Sequence, residues 1–258
     1  MDDTVLWTVN LCKDFGGVRA VDRVSLSVKR QEFRAIIGPN GAGKTTLFNV
    51  LTGYHRSSSG EIFFRGHNIT RLSPHRVCRY GISRTFQITS IFQNFTAFEN
   101  IQGAVLAYEK KSTSMVTPAS GMFRERTDQL LEQVGLEHQS HKLASTLSHG
   151  DQKRLELAIA LASQPQVLLL DEPTAGMAVR EKPPIVNLVN QVVKDRGLTA
   201  IMIEHDMDVV FSVAEKISVM HQGMVIAEGE PEAIRANEQV QAVYLGGEAH
   251  AKRGAPGS

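Results

Sequence analysis

The run Gly38-Pro39-Asn40-Gly41-Ala42-Gly43-Lys44-Thr45-Thr46 fits the spacing G-x-x-x-x-G-K-[ST] at Gly38, Gly43, Lys44 and Thr45. The chemistry this spacing permits is the grip of a polyphosphate. Glycines let successive backbone N–H groups curl round the anion. A helix starting at the end of the loop adds unpaired N–H groups and the positive end of its dipole. Lys44 would reach the β- and γ-phosphates, and the Thr45 hydroxyl would hold a magnesium ion. The alternative is an ordinary Gly-rich turn, and the flanking residues oppose it. Phe33, Ala35, Ile36 and Ile37 before the loop suit a buried strand, and Thr46 to Leu51 after it suit a helix.

A second candidate is Val167-Leu168-Leu169-Leu170-Asp171-Glu172, an apolar strand that ends in two carboxylates. In open α/β folds the C-terminal ends of core strands face the ligand. Asp171 could therefore join a magnesium shell with Thr45, and Glu172 could orient and deprotonate a water attacking a γ-phosphate. The plainer use of such an acid is to cap a following helix. Behind a well-formed phosphate loop, the functional reading prevails.

The chain has 258 residues, enough for one sizeable core with an inserted subdomain. A hydrophobic share of 42% and a charged share of 21% are those of a soluble globular protein. The net charge of +1 supplies no field that would select nucleic acid or an anionic membrane. No apolar run approaches the roughly 20 residues of a membrane helix. The acidic start MDDTVLWTVN lacks the basic and apolar regions of a signal peptide. Cys12 and Cys78 match no metal spacing and read as buried free thiols in a reducing compartment. A cytosolic protein is expected, with any membrane link made through a partner.

Residues 5 to 30 alternate in strand fashion around the turn Phe15-Gly16-Gly17, which predicts an antiparallel layer. Short strands are expected at Gly60 to Phe64 and Ser83 to Phe86, and a helix from Ser73-Pro74. From Thr96 to Leu161 the pattern is helical, with helices over Ala97 to Glu109, Met122 to Val134 and Asp151 to Ala162. Lys111 to Ser120 is polar and is expected to be a mobile connection between the first two. Strands return at Val167 to Leu170 and Thr199 to Ile203, apolar throughout as in a sheet covered on both faces. A helix over Ile185 to Lys194 tolerates Pro183-Pro184 only at its start. His221-Gln222-Gly223 reads as a hairpin turn between Ile217 to Met220 and Met224 to Ala227.

Taken together these motifs resemble the ATP-binding subunit of an ABC transporter over nearly the whole length. The phosphate loop is the family's Walker A. Leu147-Ser148-His149-Gly150-Asp151 stands where the family has its LSGGQ signature, and Leu168-Leu169-Leu170-Asp171-Glu172 is its Walker B, in the family's order. Gln87 in SRTFQ resembles the Q-loop glutamine, His205 in IEHDM the switch histidine, and Phe15 the aromatic that stacks on adenine. The wording RTFQ, DEPTAGM and IEHDMDVV is most similar to importer ATPases for branched-chain amino acids and for urea or other amides, with lipopolysaccharide-export ATPases second.

The resemblance implies an α/β fold: a P-loop NTPase core with a mixed sheet, an antiparallel β layer and an inserted α-helical subdomain. It divides the chain into a nucleotide-binding core at 1–88 and 166–246 and a helical subdomain at 89–165, while the Gly/Pro/Ala-rich composition of 247–258 predicts a disordered tail. It implies ATP and Mg2+ as cofactors. Glu172, His205 and Gln87 would be catalytic, and Thr45, Gln87 and Asp171 would attend the metal. Phe15, Gly38 to Thr46, and Ser148, His149 and Gly150 would bind nucleotide, the last three reaching the ATP of a second ATP-binding subunit. Taken singly, Gln87 could be a polar strand end, His205 structural and Phe15 core. The implied partners are transmembrane permease subunits at the cytoplasmic face of the cell membrane and, indirectly, a substrate-binding protein, but no nucleic acid. Ile88 to Ile101 would form the groove for the permease, although Phe92, Phe95 and Phe98 could instead be core. An exporter ATPase, or a non-transport nucleotide-gated clamp, is the alternative function. Departures from the family pattern are His149, which asks for a backbone that accepts a Cβ, Asp151 in place of glutamine, and Ala178 after Thr174-Ala175-Gly176-Met177.

Overall fold

The computed structural model describes residues 3–85, 91–109 and 123–243. Gln87, the polar connection at 111–120 and the tail at 247–258 lie outside the described residues. The chain forms two compact units, one drawn from Met1–Pro74 and Ile201–Ser258, the other from His75–Ala200.

The first unit opens with β1 (Thr4–Phe15), β2 (Val18–Val24) and β3 (Ser27–Lys29). β1 pairs antiparallel with β2, turning at Gly16 with φ +55°, so that Phe15 faces Val18 in register. β1 also pairs antiparallel with β3 and with β5 (Ser59–Phe64), which continues to β6 (His67–Asn68). This is the antiparallel layer that the alternation of residues 5 to 30 predicts. Thr8 ties it together, its hydroxyl donating to Val24 O (2.9 Å) and accepting from Leu26 N (2.9 Å). Cys12 is buried as expected, whereas Cys78 is only half-buried, with its Sγ 3.7 Å from the Ser83 hydroxyl.

β4 (Phe33–Ile37) is buried at every position and leads through the phosphate loop into α1 (Lys44–Leu51). The sequence pattern reads β4 as apolar, yet it contains Arg34, which is fully buried. Arg34 Nε donates to Glu32 Oε1 (2.5 Å), Nη1 to Glu228 Oε1 (2.6 Å) and Ser218 Oγ (3.2 Å), and Nη2 to Ser27 O (2.8 Å). A charge can sit at this depth only with its donors satisfied.

The second unit follows α2 (Pro74–Tyr80) with β7 (Ile82–Thr85). β7 lies parallel to β8 (Val167–Asp171), Ile82 opposite Val167 and Thr85 opposite Leu170. The α-helices described between them are thus inserted between two neighbouring strands: α3 (Ala97–Tyr108), α4 (Arg124–Gln133) and α5 (His149–Leu161). α3 starts at a capping box in which Thr96 Oγ1 accepts from Glu99 N and the Glu99 carboxylate accepts from Thr96 N. α3, α4 and α5 pack on one another, burying Ile101, Val105, Leu130, Leu131, Leu155 and Ala158. α6 (Lys182–Asp195) places its two prolines in the first turn, where a missing N–H costs no helical bond.

β9 (Thr199–Ile203) runs across the boundary and returns the chain to the first unit, where α7 (Met207–Val213), β10 (Lys216–His221), β11 (Met224–Gly229) and α8 (Pro231–Arg235) complete it. β10 is parallel to β4, with Val219 opposite Ile37, and antiparallel to β11, so this sheet is mixed. The hairpin turn is Gln222-Gly223, both at positive φ, with His221 still in the strand. Gly223 N donates to Ala42 O (3.0 Å) and Gly223 O accepts from Asp22 N (2.8 Å), which braces the phosphate loop between β2 and the hairpin. No helix among the described residues is long and apolar enough to cross a membrane.

Candidate functional site

In the first unit the phosphate loop takes a shape that only its glycines permit at two points. Gly38 has φ +152° and a Cβ there would fall 2.1 Å from Met220 O. Gly43 has φ +98° and a Cβ there would fall 2.1 Å from Ala20 O. The loop is therefore pressed against backbone on both sides. Gly43 is also the N-cap of α1, with no side-chain cap and no acidic residue in the first turn. Side chains thus leave the opening N–H groups of α1 uncapped, as an anion site requires.

Lys44 is buried, and its Nζ donates to Gly38 O (2.7 Å) and Pro39 O (3.0 Å), so the ammonium is folded back into the mouth of the loop. Asn40 and Gly41 are exposed, Ala42 is buried, and Pro39, Thr45 and Thr46 are half-buried.

The same unit holds Phe15 and His205. Phe15 is 43% exposed at the end of β1, so it is not a core residue. Lys13 Nζ sits 4.7 Å over its ring, and the His55 ring meets it edge-on at 5.2 Å. His205 is exposed between β9 and α7, and its N–H donates to the buried Glu204 carboxylate (2.8 Å).

In the second unit Asp171 ends β8 and is buried. Arg84 of β7, itself half-buried, donates from Nη2 to Asp171 Oδ2, forming a part-buried ion pair. Burial pulls the Arg84 guanidinium below its ordinary range, and the neighbouring Asp171 charge opposes that shift. The sequence reading missed this pair. Its signal is an arginine inside the otherwise apolar and hydroxylic strand Ile82–Thr85. Glu172 follows, half-buried, with φ +51°, the left-handed region that costs a residue with a Cβ on the order of 1 kcal/mol or more.

A tight turn comes next, Ala175 N donating to Glu172 O (3.1 Å) and Met177 N to Thr174 O (3.2 Å). It lies against the start of α5. A Cβ on Gly176 would stand 3.3 Å from His149 Cε1, and one on Gly150 would stand 3.7 Å from Met177 Cε. The structure thus brings Ser148, His149 and Gly150 together with the turn that follows Glu172.

The departures at His149 and Asp151 find physical explanations here. His149 is the first residue of α5, a helical position in which a Cβ is unstrained. Ser148 is the N-cap. Its hydroxyl accepts from Asp151 N (3.2 Å) and donates to Asp151 Oδ2 (2.8 Å), which also accepts from Gln139 Nε2 (3.1 Å). Asp151 thus locks the cap and puts negative charge in the first turn, where the dipole favours it. Nothing in the structure accounts for Ala178.

One turn further along α5, Glu156 is buried beside Lys153, whose Nζ is 3.3 Å away. Burial raises the Glu156 carboxyl above its ordinary value, with Lys153 and His149 pulling the other way. A carboxyl raised in the folded state penalises folding once it ionises, above its folded pKa, and the penalty vanishes below its unfolded pKa. Glu156→Gln should therefore raise the melting temperature at about pH 8 and lose that advantage near pH 4. Thermal melts across this range check it, and a gain that is the same at both ends counts against it.

Gln87 lies outside the described residues. Among the described residues no group of three or more His, Cys, Asp or Glu side chains could hold a metal by itself. Thr45 in the first unit and Asp171 in the second each carry a hard oxygen donor, the kind that Mg2+ takes alongside substrate phosphates. The donor chemistry fits the ion.

Comparison with known proteins bears on what this geometry does. The family model for ABC transporters matches residues 21–175, and that for the branched-chain amino acid ATP-binding cassette transporter matches residues 224–250. The chain is 37% identical to the high-affinity branched-chain amino acid transport ATP-binding protein LivG of Salmonella typhimurium, covering 95% of this chain and 99% of LivG. It is 36% identical to the lipopolysaccharide export system ATP-binding protein LptB of Haemophilus influenzae, covering 94% and 98%. Among solved structures, a nucleotide-free ATP-binding cassette from an ABC transporter superposes with a TM-score of 0.83 at 32% identity, covering 93% of this chain and 98% of that one. An ATP-binding cassette in its ADP conformation gives 0.82 at 33% identity, covering 94% and 99%.

Proposed function

Since the chain belongs to the ABC transporter ATP-binding family and has its P-loop fold with a mixed sheet and helical subdomain, we propose that it hydrolyses ATP to drive uptake of branched-chain amino acids or a related small polar solute. The observation that carries this reading is the phosphate loop: Lys44 held in its mouth, with Gly43 opening an uncapped helix. The match of residues 224–250 to the branched-chain family model supports the importer. The similar identity to LptB keeps lipopolysaccharide export as a second reading.

In the proposed mechanism the loop amides and Lys44 hold the β- and γ-phosphates, and Phe15 stacks on adenine. Thr45, Asp171 and Gln87 would hold magnesium, whose charge would offset that of the phosphates. Glu172 takes the proton of the attacking water, and His205 and Gln87 orient the reacting group. Ser148, His149 and Gly150 cover the nucleotide of a second ATP-binding subunit, so that ATP closes the pair and hydrolysis opens it. Residues 1–88 and 166–246 serve as the nucleotide-binding core and 89–165 as the subdomain that meets the permease at the cytoplasmic face of the membrane.

Support for that docking face comes from Phe92 and Phe95. They are 64% and 49% exposed, their rings 5.4 Å apart, while Phe98 is half-buried. Most of this aromatic run is therefore surface rather than core. Asn100 explains how. Its side chain accepts from Phe92 N (2.7 Å) and donates to Phe92 O, Phe95 O and Thr96 O, so the turn is held by polar bonds and the rings are left outside. An exposed aromatic pair of this kind suits an interface.

The test is to recover the chain from gently solubilised membranes, identify the co-purifying permease, and follow labelled leucine uptake. The wild-type chain should bring down an amino-acid permease. The double substitution Phe92→Asp/Phe95→Asp should abolish co-purification and uptake while the isolated chain still hydrolyses ATP. Recovery of lipopolysaccharide-export membrane subunits would instead select the second reading.

A further inference from the structure

We infer that Arg84 is a positioning residue for Asp171, a built-in counter-ion that denies the carboxylate to free metal, so that the metal arrives only with ATP. The inference rests on the ATP-and-magnesium reading above and goes beyond it, by giving a role to a residue that the reading leaves unused.

Asp171 is only 5% exposed, and a carboxylate at that depth needs a compensating charge. Arg84 provides it directly, from Nη2 to Oδ2. The parallel register fixes the donor's place. Arg84 stands opposite Leu169 on β8, one side-chain alternation before Asp171, so the guanidinium reaches forward along the strand to the carboxylate. An arginine suits this task better than a lysine, because its charge persists when buried and its planar fork holds direction.

A divalent cation approaching Asp171 alone therefore meets a positive charge already seated on its oxygen. Among the described residues Asp171 belongs to no group of three or more His, Cys, Asp or Glu side chains that could hold a metal and outweigh that charge. Mg2+ also sheds water reluctantly and is usually held by one or two carboxylates together with substrate phosphates. A polyphosphate brings enough negative charge for the metal to be accepted beside Arg84. Once it is there, Asp171 is already aligned.

The experiment measures Mn2+ binding to the full, nucleotide-free chain by the loss of the free-ion signal in electron paramagnetic resonance. Wild type should bind Mn2+ weakly. Arg84→Met and Arg84→Gln should bind it roughly tenfold more tightly or better, since a nearby cation has been removed from a buried carboxylate. Adding Asp171→Asn should return either variant to the wild-type value, and Arg84→Lys should stay weak. In the wild-type background, Asp171→Asn should leave binding of Mn2+ alone unchanged but weaken binding of Mn2+ with ATP.

Unchanged Mn2+ affinity in a neutral Arg84 variant with a native circular dichroism spectrum would overturn the inference. If neither neutral variant folds, the wild-type background decides. A fall in affinity for Mn2+ alone in Asp171→Asn shows that the carboxylate was already open to metal, and overturns it too. Binding of a fluorescent ATP analogue to the wild-type chain separates the two levels. No binding there defeats the ATP reading and the inference with it, whereas normal binding with unaltered Mn2+ behaviour defeats the inference alone.

Discussion

Glu172→Gln should lower ATP hydrolysis about a thousandfold while leaving ATP affinity intact, the size of effect expected when a general base is removed and its shape retained. Glutamine keeps the length and planarity of the side chain but cannot take a proton from water. The bound state before hydrolysis should therefore accumulate. If Ser148 and Gly150 of one subunit cover the nucleotide of another, that state is a dimer, visible by light scattering with ATP and magnesium and absent with ADP.

The backbone sharpens the prediction. Glu172 sits at φ +51°, and glutamine inherits the same strain, so thermal stability should scarcely move. Glycine would relieve the strain but also lose the base and the side chain's contacts. A site that keeps a strained residue with a carboxylate where glycine would be easier has a use for that carboxylate. Wild-type hydrolysis rates in Glu172→Gln would remove Glu172 from the mechanism, and a variant that is slow yet remains monomeric with ATP would remove the shared site.

What could be read in advance was what lies contiguous along the chain. Gly38 to Thr45 and Leu168 to Glu172 each carry their chemistry within one stretch, flanked by the strand and helix that present it. The helices at 97–108 and 149–161 follow from apolar spacing, and the hairpin at 216–229 from its Gln222-Gly223 turn. The helices α7 and α8 lie outside the periodic stretches, although their start signals are local. Asp206 caps α7 by accepting from Asp208 N and Val209 N, and Pro231 opens α8.

The pairings that depend on distant segments were not legible. Nothing adjacent to Arg84 announces Asp171. Nothing near Ala42 announces that Gly223 will donate to its carbonyl, or that a Cβ at Gly43 would strike Ala20. Arg34 is the sharpest case. Periodicity treats it as an interruption in an apolar strand, whereas the fold brings Glu32, Ser218, Glu228 and Ser27 O around it. Local pattern determines which segments become strands, while register decides which of their polar residues meet.

Arg34→Met should accordingly cost about 3–5 kcal/mol of folding stability, the range for removing one partner from a buried ion pair. The methionine fills much of the space but leaves Glu32, whose side chain is 8% exposed, without its main cation. The Glu32 carboxylate would keep the Lys29 N–H (3.0 Å), and the Ser218 hydroxyl would still donate to Glu228 (2.6 Å). The stranded charge is what destabilises, so the double variant Arg34→Met/Glu32→Gln should recover part of the loss. Urea unfolding of the four members of that cycle measures the coupling directly. Arg34→Lys should rescue poorly, because one ammonium cannot reproduce a fork that serves four acceptors, on β3, β10, β11 and the turn before β4.

The effect should remain one of stability. Gly38 and Gly43 set the loop's shape by backbone contacts independent of Arg34, so folded Arg34→Met should bind ATP normally at low temperature. A loss below about 1 kcal/mol would place the cluster with solvent-screened surface pairs and refute its role as the electrostatic anchor of β4.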